Sequence, residues 1–294
     1  MIDADLTVAL IKATVQIDQP ISDAKRMVGT GFLVSVPTPG GSPQVVLVTA
    51  AHVFEKMPAP EVRIGWRVPG AKGNWSYMPS NITIRGKDGA LYTQHPTQDI
   101  AVIPVKVPES IRDQVIPESL LADEGTFDAQ HVDPGDEMMT LGYPHGLSAN
   151  ISGFPILRAG KLASYPVSPT AAYPTFLIDL TAVPGNSGGP VFIKNGSKAG
   201  GFVAGILIKQ VEDENQRLEL GVVTDAVFVR QTIDLMLKAQ SSGVAPLRAV
   251  KPVAAARDVP GGAATDTTDM TGNSNTGTAT QAAKPMNGET IDGH

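Results

Sequence analysis

The stretch that most constrains the fold is TAVPGNSGGP at residues 181–190, in which Ser187 stands among three glycines and between two prolines. Glycine loses the most backbone entropy on ordering and proline lacks a backbone donor, so this composition disfavours helices and strand interiors. The stretch predicts a tight turn that presents the serine hydroxyl. Such a hydroxyl becomes a nucleophile when a base takes its proton and backbone N–H groups receive the charge formed on the substrate. A glycine-rich turn without chemistry is the alternative.

Two other segments supply the histidine and the aspartate that a nucleophilic serine requires. His52 follows the apolar run VVLVTAA at residues 45–51, and Asp99 precedes the apolar run IAVI at residues 100–103. The order along the chain is therefore histidine, aspartate, serine. An α/β-hydrolase places its histidine after the serine, where this chain has only His294, and a subtilisin places its aspartate first. The chymotrypsin order remains.

These three segments resemble the signature segments of trypsin-like serine proteases of the chymotrypsin fold, in particular the bacterial branch with HtrA-type and glutamyl endopeptidases. They read TAAH up to His52, DIA from Asp99, and GNSGGP around Ser187. The resemblance implies a catalytic triad of these three residues and an oxyanion hole made by the backbone N–H groups of Gly185 and Ser187. It covers residues 6–235 and leaves no room for a PDZ domain of the HtrA kind.

The substrate pocket is predicted from the same resemblance. Thr181 would lie at the base of the primary pocket, and Ile206, Ile208 and Gln210 would line its wall. No carboxylate stands at these positions, which argues against cleavage after arginine or lysine. Because Ile208 and Gln210 would narrow the pocket, we predict cleavage after small or medium aliphatic residues. Cleavage after glutamate is the alternative, since Thr181 and Lys209 offer a hydroxyl and an ammonium group to a carboxylate.

The remaining histidines and one aspartate are weighed as rivals to this assignment. We expect His95, His131 and His145 to be structural or surface residues, and His145, beside Gly146, is the strongest rival among them. Asp88 is the best substitute for the predicted catalytic aspartate, but it lies in a GKDG turn rather than ahead of an apolar strand.

Composition narrows the class of protein further. The chain has 294 residues, a net charge of −6 and no cluster of lysine or arginine, which gives no reason to expect nucleic-acid binding. It has no cysteine, so disulfides and thiolate metal sites are excluded, and no metal or cofactor is predicted. We see no signal peptide and no apolar run that could span a bilayer. We therefore expect a cytoplasmic monomer acting on proteins or peptides, or a secreted or periplasmic one if a signal peptide precedes these residues.

The abundance of glycine and proline, with short β-branched runs between them, predicts an all-β fold. We predict two packed six-stranded antiparallel β-barrels of the chymotrypsin-like kind, a C-terminal helix capped by Asp225, and a disordered tail. The domains would be an N-terminal barrel at 1–107, a crossover at 108–135, a second barrel with the helix at 136–240, and the tail at 241–294. The predicted strands are 6–18, 29–36, 45–49, 61–68, 75–85 and 99–105 in the first barrel, and 138–142, 156–164, 175–180, 190–194, 201–209 and 218–224 in the second.

The leading functional prediction is an active serine endopeptidase. A catalytically silent or partner-activated protein-binding module on the same fold is the alternative. The chain lacks the Ile-Val-Gly-Gly segment that activates the digestive proteases, so activation by cleavage is not implied.

Overall fold

The computed structural model describes residues 5–22, 25–38, 41–194, 200–213 and 216–242. The described residues are mostly β, with a closed six-stranded barrel, a second large sheet and a C-terminal helix. This architecture fits the predicted chymotrypsin-like fold. The predicted tail lies outside the described residues apart from its first two positions, and the bounds of the four predicted domains stay predictions.

The first element corrects a prediction, because residues 6–13 form a helix and not the start of a strand. Helix α1 (Leu6–Ala13) begins at Asp5, whose carboxylate accepts the N–H of Thr7 at 2.9 Å. Leu6, Leu10 and Ala13 recur at helical spacing and are its buried face. The β-branched residues of this segment favoured a strand, but the capping aspartate and the helical spacing prevail. Strand β1 (Thr14–Ser22) follows directly.

The N-terminal half builds an eight-stranded sheet around β1. Its order is β5-β4-β1-β2-β3-β9-β8, with β10 parallel to β2. Within the described residues its pairing does not close into a ring, so the predicted six-stranded first barrel is corrected to this sheet. The six predicted strands correspond to β1–β5 and β9, and the two additional strands, β8 and β10, are only two residues long. The bounds are β2 (Lys25–Val36), β3 (Gln44–Thr49), α2 (Ala51–Lys56), β4 (Glu61–Pro69), β5 (Trp75–Thr83), β6 (Arg85–Gly86), β7 (Gly89–Ala90), β8 (Thr93–Gln94), β9 (Ala101–Pro104) and β10 (Ile116–Pro117).

The second half confirms the predicted six-stranded barrel. A connection with the short helix α3 (Thr126–Ala129) leads into it, and the strands close in the order β11-β12-β13-β16-β15-β14. Burial alternates along β13, where Phe176 and Ile178 are buried and Thr175 and Asp179 are exposed. The bounds are β11 (Glu137–Gly142), β12 (Ile156–Leu162), β13 (Thr175–Asp179), β14 (Pro190–Ile193), β15 (Phe202–Asp213) and β16 (Gln216–Asp225).

The C-terminal helix connects the two halves. Helix α4 (Ala226–Ser241) begins where the sequence predicts, with the Asp225 carboxylate accepting the N–H of Val227 at 2.8 Å. It packs against β15 and β16 of the barrel and also against β8 and β9 of the first sheet. The described residues include no helix with the length and apolarity that crossing a bilayer requires.

The two halves are also joined at the turn that carries Ser187. Thr30 on β2 donates its hydroxyl to the carbonyl of Gly185 at 2.6 Å and its N–H to the carbonyl of Ser187 at 2.9 Å. The same hydroxyl accepts the N–H of Tyr143 at 3.2 Å. Both Thr30 and Tyr143 are fully buried, so these bonds fix the serine turn against the first sheet in a site that water does not reach.

Candidate active site

His52 and Asp99 are brought together by the pairing of two strands. His52 lies in the first turn of α2, just after β3, and Asp99 lies just before β9. Because β3 and β9 are antiparallel, with Thr49 opposite Ala101, the end of one strand lies beside the start of the other. His52 Nδ1 is 2.6 Å from Asp99 Oδ2, and the His52 backbone N–H donates to Asp99 Oδ1 at 2.9 Å.

The electrostatics of this pair fix the state of the imidazole. Burial opposes ionisation of the Asp99 carboxyl, but the hydrogen bonds and charge of His52 outweigh it and hold the pKa of Asp99 below its ordinary value. An ionised carboxylate only accepts hydrogen bonds, so the hydrogen between the two side chains belongs to Nδ1. The other ring nitrogen of a neutral His52, Nε2, then has a free lone pair and can accept a proton.

The Ser187 turn connects β13 to β14, and its backbone path requires glycine. Gly185 and Gly188 have φ values of +98° and +87°, in the left-handed region that side chains disfavour. A Cβ at Gly188 would lie 2.1 Å from the Thr30 carbonyl oxygen and 2.3 Å from Thr49 Oγ1. The turn is therefore in close contact with the end of β3, the same segment that leads into the histidine.

The Ser187 hydroxyl itself points to β15. Its Oγ donates to the carbonyl of Ile208 at 2.9 Å, and no hydrogen bond joins it to His52 among the described residues. The ladder between β15 and β16 shifts register between Leu207 and Lys209, so Ile208 is the extra residue of a bulge and its carbonyl is left outside that ladder. A bond from the serine to the histidine requires rotation of the serine side chain, a motion of picoseconds to nanoseconds for accessible residues.

The two predicted oxyanion donors are unengaged. Within the described residues, the N–H groups of Gly185 and Ser187 donate to no acceptor. The carbonyl of Pro184, which shares a peptide with the Gly185 nitrogen, accepts the N–H of His145 at 2.7 Å. In a trans peptide the carbonyl and the N–H point in opposite directions, so this bond turns the Gly185 N–H away from His145. The backbone of His145 thus helps to orient the Gly185 N–H, whereas its side chain is exposed.

The predicted pocket residues lie on β15 and ahead of the serine turn. Ile206 is fully buried, Ile208 is 7% exposed, and Gln210 and Thr181 are half-buried. Arg158 on β12, which the sequence analysis did not single out, donates its guanidinium to the carbonyl of Thr181. The roles of these residues in binding substrate stay predictions.

The other rivals to the predicted triad residues lie in different environments. Asp88 lies in the exposed turn between β6 and β7, and His131 is exposed in the loop after α3. His95 was expected to be structural or at the surface. It is buried, only 6% exposed, in the loop that leads to Asp99. In the sequence, the only indication that His95 lies near the site was its short distance from Asp99 along the chain.

Comparison with known proteins adds the family. A family model described as a trypsin-like peptidase domain matches residues 29–200, a span that includes His52, Asp99 and Ser187. The chain belongs to the trypsin-like peptidase domain family. This membership confirms the resemblance at the level of trypsin-like serine proteases and makes the protein a hydrolase of the protease class. No curated protein matches the chain. The HtrA-type branch stays a prediction.

Proposed function

We propose that this trypsin-like peptidase is a serine endopeptidase with Ser187 as nucleophile, His52 as general base and Asp99 as its orienting carboxylate. The observation that carries the proposal is the 2.6 Å pair between His52 Nδ1 and Asp99 Oδ2 beside the glycine-rich serine turn. A carboxylate that fixes the Nδ1–H tautomer and stabilises the imidazolium is what general-base catalysis by histidine requires.

The steps follow from the groups present. Ser187 Oγ attacks the substrate carbonyl carbon while its proton passes to His52 Nε2, and Asp99 stabilises the imidazolium. The oxyanion accepts hydrogen bonds from the free N–H groups of Gly185 and Ser187. On collapse the C–N bond breaks and the amine leaves with the proton from Nε2. Water then attacks the acyl carbon and gives a proton to Nε2. On collapse the ester bond to Ser187 breaks, Oγ takes the proton back from Nε2, and the acid leaves.

In this proposal, the hydrogen bond from Ser187 to Ile208 belongs to the resting state of the site, before substrate binds. An extended substrate that adds to the bulge of β15 would offer its own backbone N–H to the Ile208 carbonyl. That N–H competes with the serine hydroxyl for the same oxygen, so substrate binding favours release of the hydroxyl towards His52. The same bond also favours the second candidate function, a latent or partner-activated module in which Ser187 stays on Ile208 until a protein partner binds.

A fluorophosphonate probe distinguishes these functions. The active endopeptidase is expected to be labelled at Ser187 in the isolated folded protein, because the probe requires an activated hydroxyl and an oxyanion hole. A Ser187→Ala variant serves as the control and stays unlabelled. Labelling that occurs only after a protein partner is added would indicate the latent form, and no labelling with any candidate partner would contradict the enzyme.

For specificity we propose cleavage after small or medium aliphatic residues, which the apolar Ile206 and Ile208 support. Glutamate is the second candidate because Arg158 brings a positive charge to the carbonyl of Thr181, and the sequence offers Lys209 on β15 as a further cation. Profiling on a peptide library is expected to show aliphatic residues before the cleaved bond. Robust cleavage after arginine or phenylalanine would overturn both candidates, and cleavage after glutamate that Arg158→Met abolishes would select the second.

A further inference from the structure

His95 makes an unusual set of contacts in the loop before Asp99. Its Nδ1 accepts the backbone N–H groups of Thr97 at 3.2 Å and Gln98 at 3.0 Å. Its Nε2 lies 3.1 Å from Oε1 of Gln231 on α4, and its ring packs edge-on against Phe228 of the same helix at 5.3 Å. Within the described residues, the groups that contact the His95 ring, including the Thr97 hydroxyl, are all uncharged.

These contacts fix the protonation and tautomer of the ring. A nitrogen that accepts two N–H groups carries no hydrogen, so the hydrogen is on Nε2 and is donated to the Gln231 amide oxygen. Burial lowers the pKa of His95 below its ordinary value, and the bond to Gln231 offsets only part of that. The ring is therefore a neutral, oriented acceptor at neutral pH.

The loop that this acceptor organises contains Asp99. The His95 N–H donates to the carbonyl of Ile100 at 3.0 Å, and the Ile100 N–H donates to the carbonyl of Gln98 at 2.9 Å. On one side of Asp99, the backbone of Thr97 and Gln98 is bound to the His95 imidazole. On the other side, Ile100 leads into β9 and is bound to the His95 backbone N–H. The Asp99 carboxylate must meet two donors of His52 at once, which leaves little freedom in the position of its backbone.

We propose that His95 is a positioning residue for Asp99, and that Gln231 of the C-terminal helix orients the ring for this role by accepting its Nε2 hydrogen. The proposal rests on the catalytic role proposed for Asp99. The two halves of the protein then cooperate at the carboxylate, because the acceptor that shapes the loop of the first sheet is oriented by the helix that follows the second barrel.

Three variants test this role. His95→Leu removes the acceptor. His95→Asn keeps one, since an asparagine oxygen accepts N–H groups two and three residues later in an Asx turn. Gln231→Leu leaves the ring and its Nδ1 contacts but removes the acceptor of the Nε2 hydrogen, so the ring is no longer held by α4. His131→Asn makes the same substitution at an exposed histidine whose positive φ asparagine tolerates, and it serves as the matched control.

The expected result is a split between kcat and KM. His95→Leu should lower kcat on the order of 100-fold, since a misplacement of about 1 Å has that effect, while KM changes little. His95→Asn should recover kcat to within about tenfold of the wild type, Gln231→Leu should fall between the two, and His131→Asn should match the wild type.

A second measurement does not depend on turnover, so it tests the positioning role of His95 separately from the proposed function. NMR of the His52 Nδ1 hydrogen, which lies between Nδ1 and Asp99 Oδ2, should show its resonance shifted upfield in His95→Leu relative to the wild type and His95→Asn, because a displaced carboxylate weakens that hydrogen bond. If the wild type is neither labelled nor active but this shift appears, the proposed function fails and the positioning role stands. The role is overturned by a folded His95→Leu with wild-type kcat and no shift. If His95→Leu does not fold, the role is overturned by a large loss of kcat in folded His95→Asn, or by a Gln231→Leu variant with wild-type kcat and an unchanged resonance of the His52 Nδ1 hydrogen.

Discussion

Ser187→Ala is expected to lower kcat by about a millionfold, as loss of the nucleophile does in a comparable triad enzyme. The reason is local: without Oγ no acyl-enzyme forms, and only the oxyanion donors and substrate binding remain. The fold should hardly change, because the hydroxyl makes one hydrogen bond, to Ile208, and losing it costs about 1 kcal/mol. Hydrolysis of a fluorogenic peptide and thermal unfolding of the same preparation measure the two effects.

Ser241→Ala is the matched control for this variant. Ser241 is an exposed serine at the end of α4 whose hydroxyl also donates to a backbone carbonyl, that of Leu237, at 2.9 Å. It should keep wild-type kcat and an unchanged unfolding temperature. Residual hydrolysis by Ser187→Ala within about tenfold of the wild type would contradict the nucleophile assignment, since that assignment requires a far larger loss.

The site was predictable where local sequence dictates backbone geometry. The glycines around Ser187 occupy positive φ values and contacts that a Cβ would clash with, so their pattern carries structural information directly. His52 and Asp99 each border an apolar strand, and antiparallel pairing of those strands suffices to bring them together. Three segments distant in sequence could therefore be assigned to one site without knowledge of the loops between them.

The features that sequence analysis missed depend on longer-range contacts or on short elements. Helix α1 was predicted as a strand because its β-branched residues outweighed the cap at Asp5. The strands β8 and β10 are too short to show a period, so the first sheet was undercounted. The role we propose for His95 depends on Gln231, which follows the whole second barrel in the chain, and nothing in the local sequence around His95 indicates that contact.

Asp99→Asn is the second prediction with a very large effect. An asparagine of the same shape can still accept the His52 backbone N–H through its amide oxygen, which turns its NH₂ group towards Nδ1. Nδ1 must then accept, the ring hydrogen moves to Nε2, and Nε2 loses the lone pair that takes the serine proton. The expected loss in kcat is about 10⁴-fold, the size seen for this change in a protease with the same triad.

Asp88→Asn is the matched control, because it makes the same change at the exposed aspartate that was the sequence-based rival, and it should keep wild-type kcat. A loss of activity at Asp88 with none at Asp99 would reverse the assignment. Stability gives a second measurement, since the pKa of Asp99 is lowered in the folded protein. A lowered pKa contributes stability above the ordinary aspartate pKa of about 3.9, and this contribution is lost as the pH falls through the folded-state value. The wild type should therefore exceed Asp99→Asn in free energy of unfolding by more at pH about 7 than at pH about 3, and an equal gap at both would show that the carboxylate charge is not engaged by His52.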